Sequence, residues 1–463
     1  MRLEVVLPKI LAIFLLVIPP LVAVSQPVLM QGSDFVMTFY PVGKLILSGR
    51  ASDIYPPLSA TSLVEAPFNK YVHELLKFIP PEYVGIYMYS PLMAVLLAPF
   101  AVGGATEALV AWELLSVLVL ALVAYICSGG ERSRALDYFF MFALFCPVFH
   151  TLLIGHLGIV VGLLPLALGY VFLRGAREGA AGFVWGALLL KPQFLPTAML
   201  VAGSLFLAKR PRAALGLLCG LVTFGLLSCF ALGPEIFFDW LKSFKMSDTI
   251  FAHAGYGFPA YMVVSLPAVL LQFFPFEARA QAKIFIYGLA GAIGLFALWR
   301  STLILRSGAV SELKSSVDAK ARAEVEKGVA VEKAAVEKAA EEGAVSPALE
   351  QMRQYQAAVS LVMLIGLLVL PLVLPHFLFY DMCGLALIAV LAYQGHLWNG
   401  ERIRVWQIRV LIWWVLNLYY LSFMFLPVRP LGHWFACLPV LFFAFLFWLA
   451  PGVAARRVVP NPD

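Results

Sequence analysis

Long apolar runs, separated by short clusters of arginine and lysine, constrain the fold of this chain more than any other feature. Hydrophobic residues make up 62% of the 463 residues and charged residues only 13%, which is more apolar side chain than a soluble core of this size could bury. Runs of about 20 apolar residues can span a bilayer as helices. The sequence therefore predicts an all-α, polytopic integral membrane protein with roughly 10–13 transmembrane helices.

The basic clusters predict which helix ends face the cytoplasm. Arg2 and Lys9 precede the first apolar run, at about 10–30, so the positive-inside rule keeps the N-terminus cytoplasmic. That run is interpreted as a membrane anchor, because no small-residue cleavage pattern precedes Gln31. The following loop, 31–85, is then expected on the outer face. The net charge of +6 reflects this topology and does not indicate nucleic-acid binding.

Composition divides the chain into three parts. Residues 1–306 form an N-terminal membrane domain, in which the outer loop 31–85 is expected to carry the chemistry. Residues 307–354, rich in Ala, Glu, Lys and Val, are predicted to be a charged cytoplasmic linker, and residues 355–463 to be C-terminal transmembrane helices. The six cysteines occur singly, without the paired spacing of a zinc site or a disulfide framework.

The outer loop begins with a stretch that could be either a catalytic edge or a simple helix start. If Ser33 or Asp34 caps a helix, four apolar residues recur on one face that could lie on a bilayer surface: Phe35, Phe39, Val42 and Ile46. A carboxylate at this boundary could act as a general base toward a soluble hydroxyl. Alternatively, Asp34 only caps the helix and interacts with its positive end.

The same loop carries a second candidate interfacial helix at about 64–78, which Pro80 and Pro81 would end. Beyond it, tyrosines are expected to mark the return of the chain to the membrane interface: Tyr83, Tyr87 and Tyr89.

Lys191 interrupts an apolar run, GFVWGALLLKPQFLP, and helix-breaking prolines follow it at 192 and 196. A lysine inside a membrane costs roughly 2.5–3.5 kcal/mol, so it usually faces a polar cavity or a partner anion. The prolines would also free backbone groups for a ligand. The alternative is that Lys191 lies at a helix end and snorkels to the outer surface.

Four further candidate residues are predicted on the outer side, where they would meet Asp34 and Lys191. The turn TLLIGHLG carries His156, which is either a site residue or merely hydrated. The connection LPHFLFYDMCG carries His376, Tyr380 and Asp381. We expect Asp381 to orient His376 or Tyr380. Convergence of residues from distant parts of the chain is a stronger indication of a site than any one of them.

Four stretches resemble the polyprenyl-phosphate-dependent glycosyltransferases of family 87, which belong to the multispanning GT-C class. They are SDFVMTFYPVGKLILSGRASDIYPP, YSPLMAVLLAPF, the pair IGHLGIVVGLLPLAL with GALLLKPQFLP, and PHFLFYDMCGLAL. The resemblance implies a GT-C-like helical bundle and an inverting transfer of a sugar, mannose in the best understood families, from a polyprenyl phosphate. It also implies that Asp34, which matches the acidic residue of the first outer loop, is the base. The chain departs from the family pattern at GHLG, where Gln is more common than His156, and in the charged linker.

The sequence thus predicts a hexosyltransferase of the plasma (inner) membrane whose active site faces outward. Lys191 and His376 are candidates for binding the phosphate of the donor, and no metal or other cofactor is expected to be obligatory. The expected partners are the lipid bilayer, the polyprenyl-phosphate sugar and a glycan or glycolipid acceptor. Two alternatives remain: a transporter or flippase of lipid-linked sugars, because broken helices also mark substrate pathways, and a catalytically inactive scaffold that binds such a sugar.

Overall fold

The computed structural model describes residues 3–25, 33–57, 63, 66–80, 85–252, 264–306, 347–375 and 377–394, with isolated positions at 441 and 444. In this part of the chain the secondary structure is helical. The α-helices are α1 (Leu3–Ser25), α2 (Tyr40–Leu47), α3 (Pro67–Leu75), α4 (Pro91–Leu97), α5 (Ala105–Cys127), α6 (Arg132–Ala143), α7 (Cys146–Leu153), α8 (Leu164–Arg174), α9 (Glu178–Trp185), α10 (Leu195–Leu207), α11 (Arg212–Leu232), α12 (Pro234–Ala252), α13 (Leu266–Gln272), α14 (Arg279–Arg306), α15 (Pro347–Val373) and α16 (Leu387–Gln394).

Among the described residues, four helices are long and apolar enough to cross a membrane: α5, α11, α14 and the 351–373 part of α15. The pair α6 and α7, bent by 70°, could form a fifth span, and seven shorter apolar helices surround them. The protein is therefore an all-α, polytopic membrane protein, as predicted. The total number of crossings stays a prediction, because the C-terminal region beyond 394 lies almost entirely outside the described residues.

Glycines allow α9 and α11 to pack closely. Gly182 and Gly186 are four residues apart on the first segment, and Gly216 and Gly220 are four apart on the second. A Cβ added at Gly182 would collide with the carbonyl oxygen of Ala213. Apolar side chains gain little by associating in lipid, so membrane helices often pack through small residues that bring their backbones together.

Helix α15 is the most deeply buried of the spanning helices, with 78% of its span inside the protein. It begins at Pro347, so residues 347–354 of the predicted linker belong to this helix. Its C-terminal end leads, two residues after Val373, into the segment that contains Tyr380 and Asp381. The rest of the predicted linker, 307–346, lies outside the described residues.

The apolar stripe of the outer loop packs inside the protein. Phe35 and Phe39 are 1% exposed and Val42 is fully buried, in a cluster with Trp112. The prediction that this face lies on a bilayer surface is therefore wrong, because neighbouring helices cover it. Helix α3 lies within the predicted range of the second helix of the loop.

Candidate functional site

The backbone of the candidate site is irregular because prolines interrupt the helices around it. A π-helical turn at Phe35–Phe39 precedes Pro41, and a second one at Gly158–Leu163 precedes Pro165. Proline has no N–H to donate to the carbonyl four residues earlier, so the regular hydrogen-bond ladder cannot pass through it. Short 3₁₀ segments flank Lys191 for the same reason, next to Pro192. Such irregular turns are frequent at functional sites.

Lys191 and Asp381 form a buried ion pair in this region. The Lys191 Nζ lies 2.6 Å from Asp381 Oδ1, and the two side chains are 0% and 1% exposed. The Asp381 Oδ2 accepts a hydrogen bond of 3.1 Å from the Leu378 N–H. Lys191 Nζ also lies 5.6–5.9 Å from the ring centres of three aromatic residues: Tyr89, Phe194 and Tyr380. The snorkelling interpretation is therefore wrong, since Lys191 points into the protein and meets a carboxylate.

His156 lies against this pair. Its Nε2 is 2.9 Å from the Tyr89 hydroxyl and its Nδ1 is 3.5 Å from Lys191 Nζ. Its ring centre lies 4.1 Å from that of Tyr380. The side chain is 1% exposed, so the alternative of a hydrated turn histidine is wrong. Burial first, and then the positive charge of Lys191, lowers the pKa of His156 well below its ordinary value, which keeps the imidazole neutral.

Asp34 is held beside this cluster by its two neighbours. The Ser33 hydroxyl and the Phe35 N–H both donate to the carbonyl oxygen of Ile154, at 2.9 and 3.0 Å. The Ser33 hydroxyl oxygen also accepts from the Val36 N–H at 3.4 Å, so Ser33 supplies the cap bond and the Asp34 side chain makes none. Asp34 occupies the N-cap position, but its side chain makes no cap bond, so that part of the alternative is wrong. Its interaction with the positive end of the helix stays a prediction.

The surroundings of Asp34 favour its protonated form. The residue keeps a partly accessible surface, but protein surrounds its carboxylate closely. This burial raises the pKa of Asp34 from 3.8 to about 7; the charge of Lys191 opposes the rise and that of Asp381 adds to it. These effects also show that the carboxylate lies within electrostatic reach of the ion pair. A carboxylate with a pKa near neutrality suits proton transfer to and from a substrate.

The fold thus brings together five of the six predicted site residues: Asp34, His156, Lys191, Tyr380 and Asp381. The sixth, His376, lies outside the described residues. Tyr380 is fixed through its backbone, since its carbonyl oxygen accepts from the Thr151 hydroxyl at 3.0 Å. Asp381 bonds to Lys191 and to the Leu378 N–H, so the expectation that it orients the Tyr380 hydroxyl is wrong. The expectation that it orients His376 stays a prediction, because His376 lies outside the described residues.

Tyr89 is a site residue that sequence reasoning placed elsewhere. It was expected to mark the membrane interface, yet its hydroxyl contacts His156 and its ring packs at 5.4 Å from that of Phe39. The aromatic stretch YMYSP gives no signal that separates Tyr89 from Tyr87, whose hydroxyl donates to the Ser90 carbonyl oxygen at 3.0 Å. Only the packing of the loop against the His156 turn distinguishes them.

Metal binding has no visible support in the described part of the chain, where no three His, Cys, Asp or Glu side chains are close enough to share an ion.

Comparison with known proteins gives one match. Residues 87–317 match glycosyltransferase family 87. The matched region contains Tyr89, His156 and Lys191, whereas Asp34 and Asp381 lie on either side of it. No curated protein and no solved structure matches the chain. The chain therefore contains a glycosyltransferase family 87 domain.

Proposed function

We propose that this glycosyltransferase moves a hexose, mannose or a similar sugar, from a polyprenyl phosphate to an acceptor hydroxyl on the outer face of the plasma membrane. The acceptor would be a glycan or glycolipid. The observation that carries the proposal is the state of Asp34: a carboxylate free of any cap bond, with a pKa raised to about 7 by burial, beside a buried cation. These are the properties required of a general base at neutral pH.

The reaction would be a single in-line displacement. The acceptor oxygen attacks the anomeric carbon as its proton passes to Asp34, and the bond between that carbon and the phosphate oxygen breaks. Polyprenyl phosphate leaves with the bonding electron pair. One displacement inverts the configuration at the anomeric carbon and needs no covalent sugar–enzyme intermediate.

Lys191 is proposed to interact with the phosphate of the donor. Its ammonium carries three N–H groups, and Asp381 Oδ1 occupies one of them. The pair would orient the cation, while a remaining N–H stabilises the charge that develops on the leaving phosphate. His376 keeps its predicted role at the phosphate as part of the proposal.

The outward orientation rests on the positions of the basic residues. Helix α8 starts near the His156 turn and ends at Arg174, and α10 starts just after Lys191 and ends near Lys209 and Arg210. These basic residues therefore lie at the opposite helix ends from the site. The positive-inside rule assigns them to the cytoplasm, and the site to the outer face.

The test is release of polyprenyl phosphate and formation of glycosylated acceptor by the purified protein, supplied with a panel of polyprenyl-phosphate sugars. Asp34→Asn should lower the transfer rate by about 100- to 10,000-fold, because the amide cannot accept the proton. Asp53→Asn is the matched control, since Asp53 lies in the same loop but pairs with exposed Arg50. Equal rates for Asp34→Asn and the unsubstituted protein would contradict the assignment of the base.

The same assay separates the alternatives. A transporter or flippase would move the lipid-linked sugar across a vesicle membrane without releasing polyprenyl phosphate, and an inactive scaffold would bind it with neither effect.

Orientation is tested separately, by labelling a cysteine at position 50 with an impermeant reagent on intact cells. Absence of labelling above the level of the unsubstituted protein would contradict an outward-facing site.

A further inference from the structure

The three residues Lys191, His156 and Tyr89 form a directed chain of hydrogen bonds whose polarity can be deduced from their chemistry. The Lys191 ammonium has only donor hydrogens, so the His156 Nδ1, 3.5 Å away, must be the acceptor. The proton of the neutral imidazole is therefore on Nε2. This N–H in turn donates to the Tyr89 oxygen, which lies 2.9 Å away.

This direction of the hydrogen bonds leaves the hydroxyl hydrogen of Tyr89 available to donate to a ligand. Its oxygen accepts from His156, and the hydroxyl hydrogen makes no observed bond to another described residue. Lys191 and His156 are buried, whereas Tyr89 is half-buried, so Tyr89 is the most accessible of the three residues. Accepting a bond from a donor that is itself polarised by a cation makes the Tyr89 O–H a stronger donor.

Tyr89 is also held firmly in place. The Tyr55 hydroxyl donates to its carbonyl oxygen at 2.5 Å, and the Trp240 Nε1–H donates to the preceding carbonyl, that of Met88, at 3.1 Å. Burial raises the pKa of Tyr89 well above its ordinary value, and the nearby charges of Asp381 and Asp34 raise it further. The hydroxyl therefore stays protonated within electrostatic reach of the proposed base.

We infer that the Tyr89 hydroxyl donates a hydrogen bond to a phosphate oxygen of the lipid-linked donor, and that Lys191 and His156 set the direction of that bond. This inference rests on the proposed function and adds a catalytic residue to it. This arrangement favours an anionic ligand, because the series of hydrogen bonds begins at the Lys191 cation and ends in the hydroxyl group of Tyr89, a hydrogen-bond donor. His156 is a positioning residue, which acts through Tyr89.

The central test compares Tyr89→Phe with Tyr87→Phe. Both remove one hydroxyl from a buried or half-buried ring of the same segment, but Tyr87 donates to the Ser90 carbonyl and is not part of the chain. Tyr89→Phe should lower kcat by about 100-fold, as loss of one donor to a developing oxyanion does. Tyr87→Phe should leave kcat unchanged. The ³¹P resonance of bound undecaprenyl phosphate should shift in Tyr89→Phe and not in Tyr87→Phe.

A second pair of variants tests the role of His156. His156→Gln keeps an acceptor for Lys191 and an N–H for Tyr89, so it should retain most of the activity, whereas His156→Leu should lose as much as Tyr89→Phe. Because the residues act in series, the double variant Tyr89→Phe, His156→Leu should be no slower than either single variant. Additive losses would overturn the directed chain.

The outcomes for this inference and for the proposed function are distinct. If Asp34→Asn abolishes transfer while Tyr89→Phe keeps the kcat and the ³¹P resonance of the unsubstituted protein, the role of Tyr89 is wrong and the general base stands. If the unsubstituted protein transfers no sugar, the proposed function itself fails.

Discussion

Two buried ion pairs lie at opposite ends of the same helices, and they differ in what surrounds them. At one end Lys191 meets Asp381 at 2.6 Å; at the other, Arg210 meets Glu178 at the same distance. The helical segment from Glu178 to Leu190 separates them by about 20 Å, at 1.5 Å per residue. Each pair joins the N-terminal domain to the C-terminal helices, the second through the Tyr355 hydroxyl, 3.3 Å from Glu178.

The difference is in the backbone and in the neighbouring charges. Glu178 begins the regular helix α9, and Arg210 lies in the short turn between α10 and α11, where its guanidinium packs on the ring of Tyr355 at 4.6 Å. Glu178 is in the first turn of α9, where a negative charge also interacts favourably with the helix dipole. Lys191 lies instead between two 3₁₀ segments, with a second carboxylate, Asp34, in reach. The Arg210–Glu178 pair holds helices together. The Lys191–Asp381 pair has a further carboxylate nearby and one Lys191 N–H that neither Asp381 nor His156 occupies, and we propose that these groups act on the substrate.

The largest effect is expected from Lys191→Met. It leaves Asp381 buried without a cation, which should cost on the order of 3–5 kcal/mol in the free energy of unfolding, and it removes the proposed phosphate contact. Thermal stability and transfer rate should both fall. The double variant Lys191→Met, Asp381→Leu should recover stability without activity, because no buried charge is left unpaired. If the double variant kept its transfer activity, the Lys191–Asp381 pair would have only a structural role.

A smaller effect should follow from Arg210→Met at the other end. Breaking a hydrogen bond to a charged group costs about 1.5–3 kcal/mol, so the thermal midpoint should fall. The transfer rate per folded molecule should stay unchanged, since the pair is far from the site. A lower kcat in fully folded Arg210→Met protein would show that the two ends are coupled. It would contradict the view that the Arg210 pair is only structural.

The pH dependence should distinguish the site further. Asp34 must be ionised to accept a proton, so kcat/KM should rise with pH through an inflection near 7 and level off above it. Its contribution to stability has the opposite sign: because the folded pKa is raised above 3.8, stability is lost as pH rises from about 4 to about 7. Asp34→Asn should abolish this loss in thermal melts recorded across that range. An unchanged pH dependence of melting would contradict the raised pKa.

The smallest effect is expected from the linker. Removing 311–346 and joining the ends with a short flexible segment should leave the transfer rate unchanged, provided that the deletion stops before α15, which carries Tyr355. The positive-inside rule predicts this linker on the cytoplasmic side, which is the side proposed for Arg210 and opposite the site. If the deletion variant lost transfer activity but kept its thermal stability, the segment 311–346 would have a role in the reaction.

The sequence by itself determined the fold class and the family, and it marked the break in the helix beside Lys191. Apolar runs require helices in lipid because backbone groups must be satisfied within each segment, and Pro192 lacks the N–H that a continuous helix would need beside Lys191. These are local consequences of residue chemistry. Together with the topology expected from the basic clusters and the family resemblance, they indicated Asp34, His156, Lys191 and Asp381 as candidates.

Only the tertiary structure decided which candidate does what. Lys191 meets Asp381 from 190 positions away in the chain, and Ser33 reaches Ile154 from 121 positions away. Such partners depend on how helices pack, and packing in a membrane is set by small residues and shape more than by any pattern along one segment. For this reason the sequence could not tell that Ser33 supplies the cap, that Lys191 faces inward, or that Tyr89 and not Tyr87 completes the chain to His156.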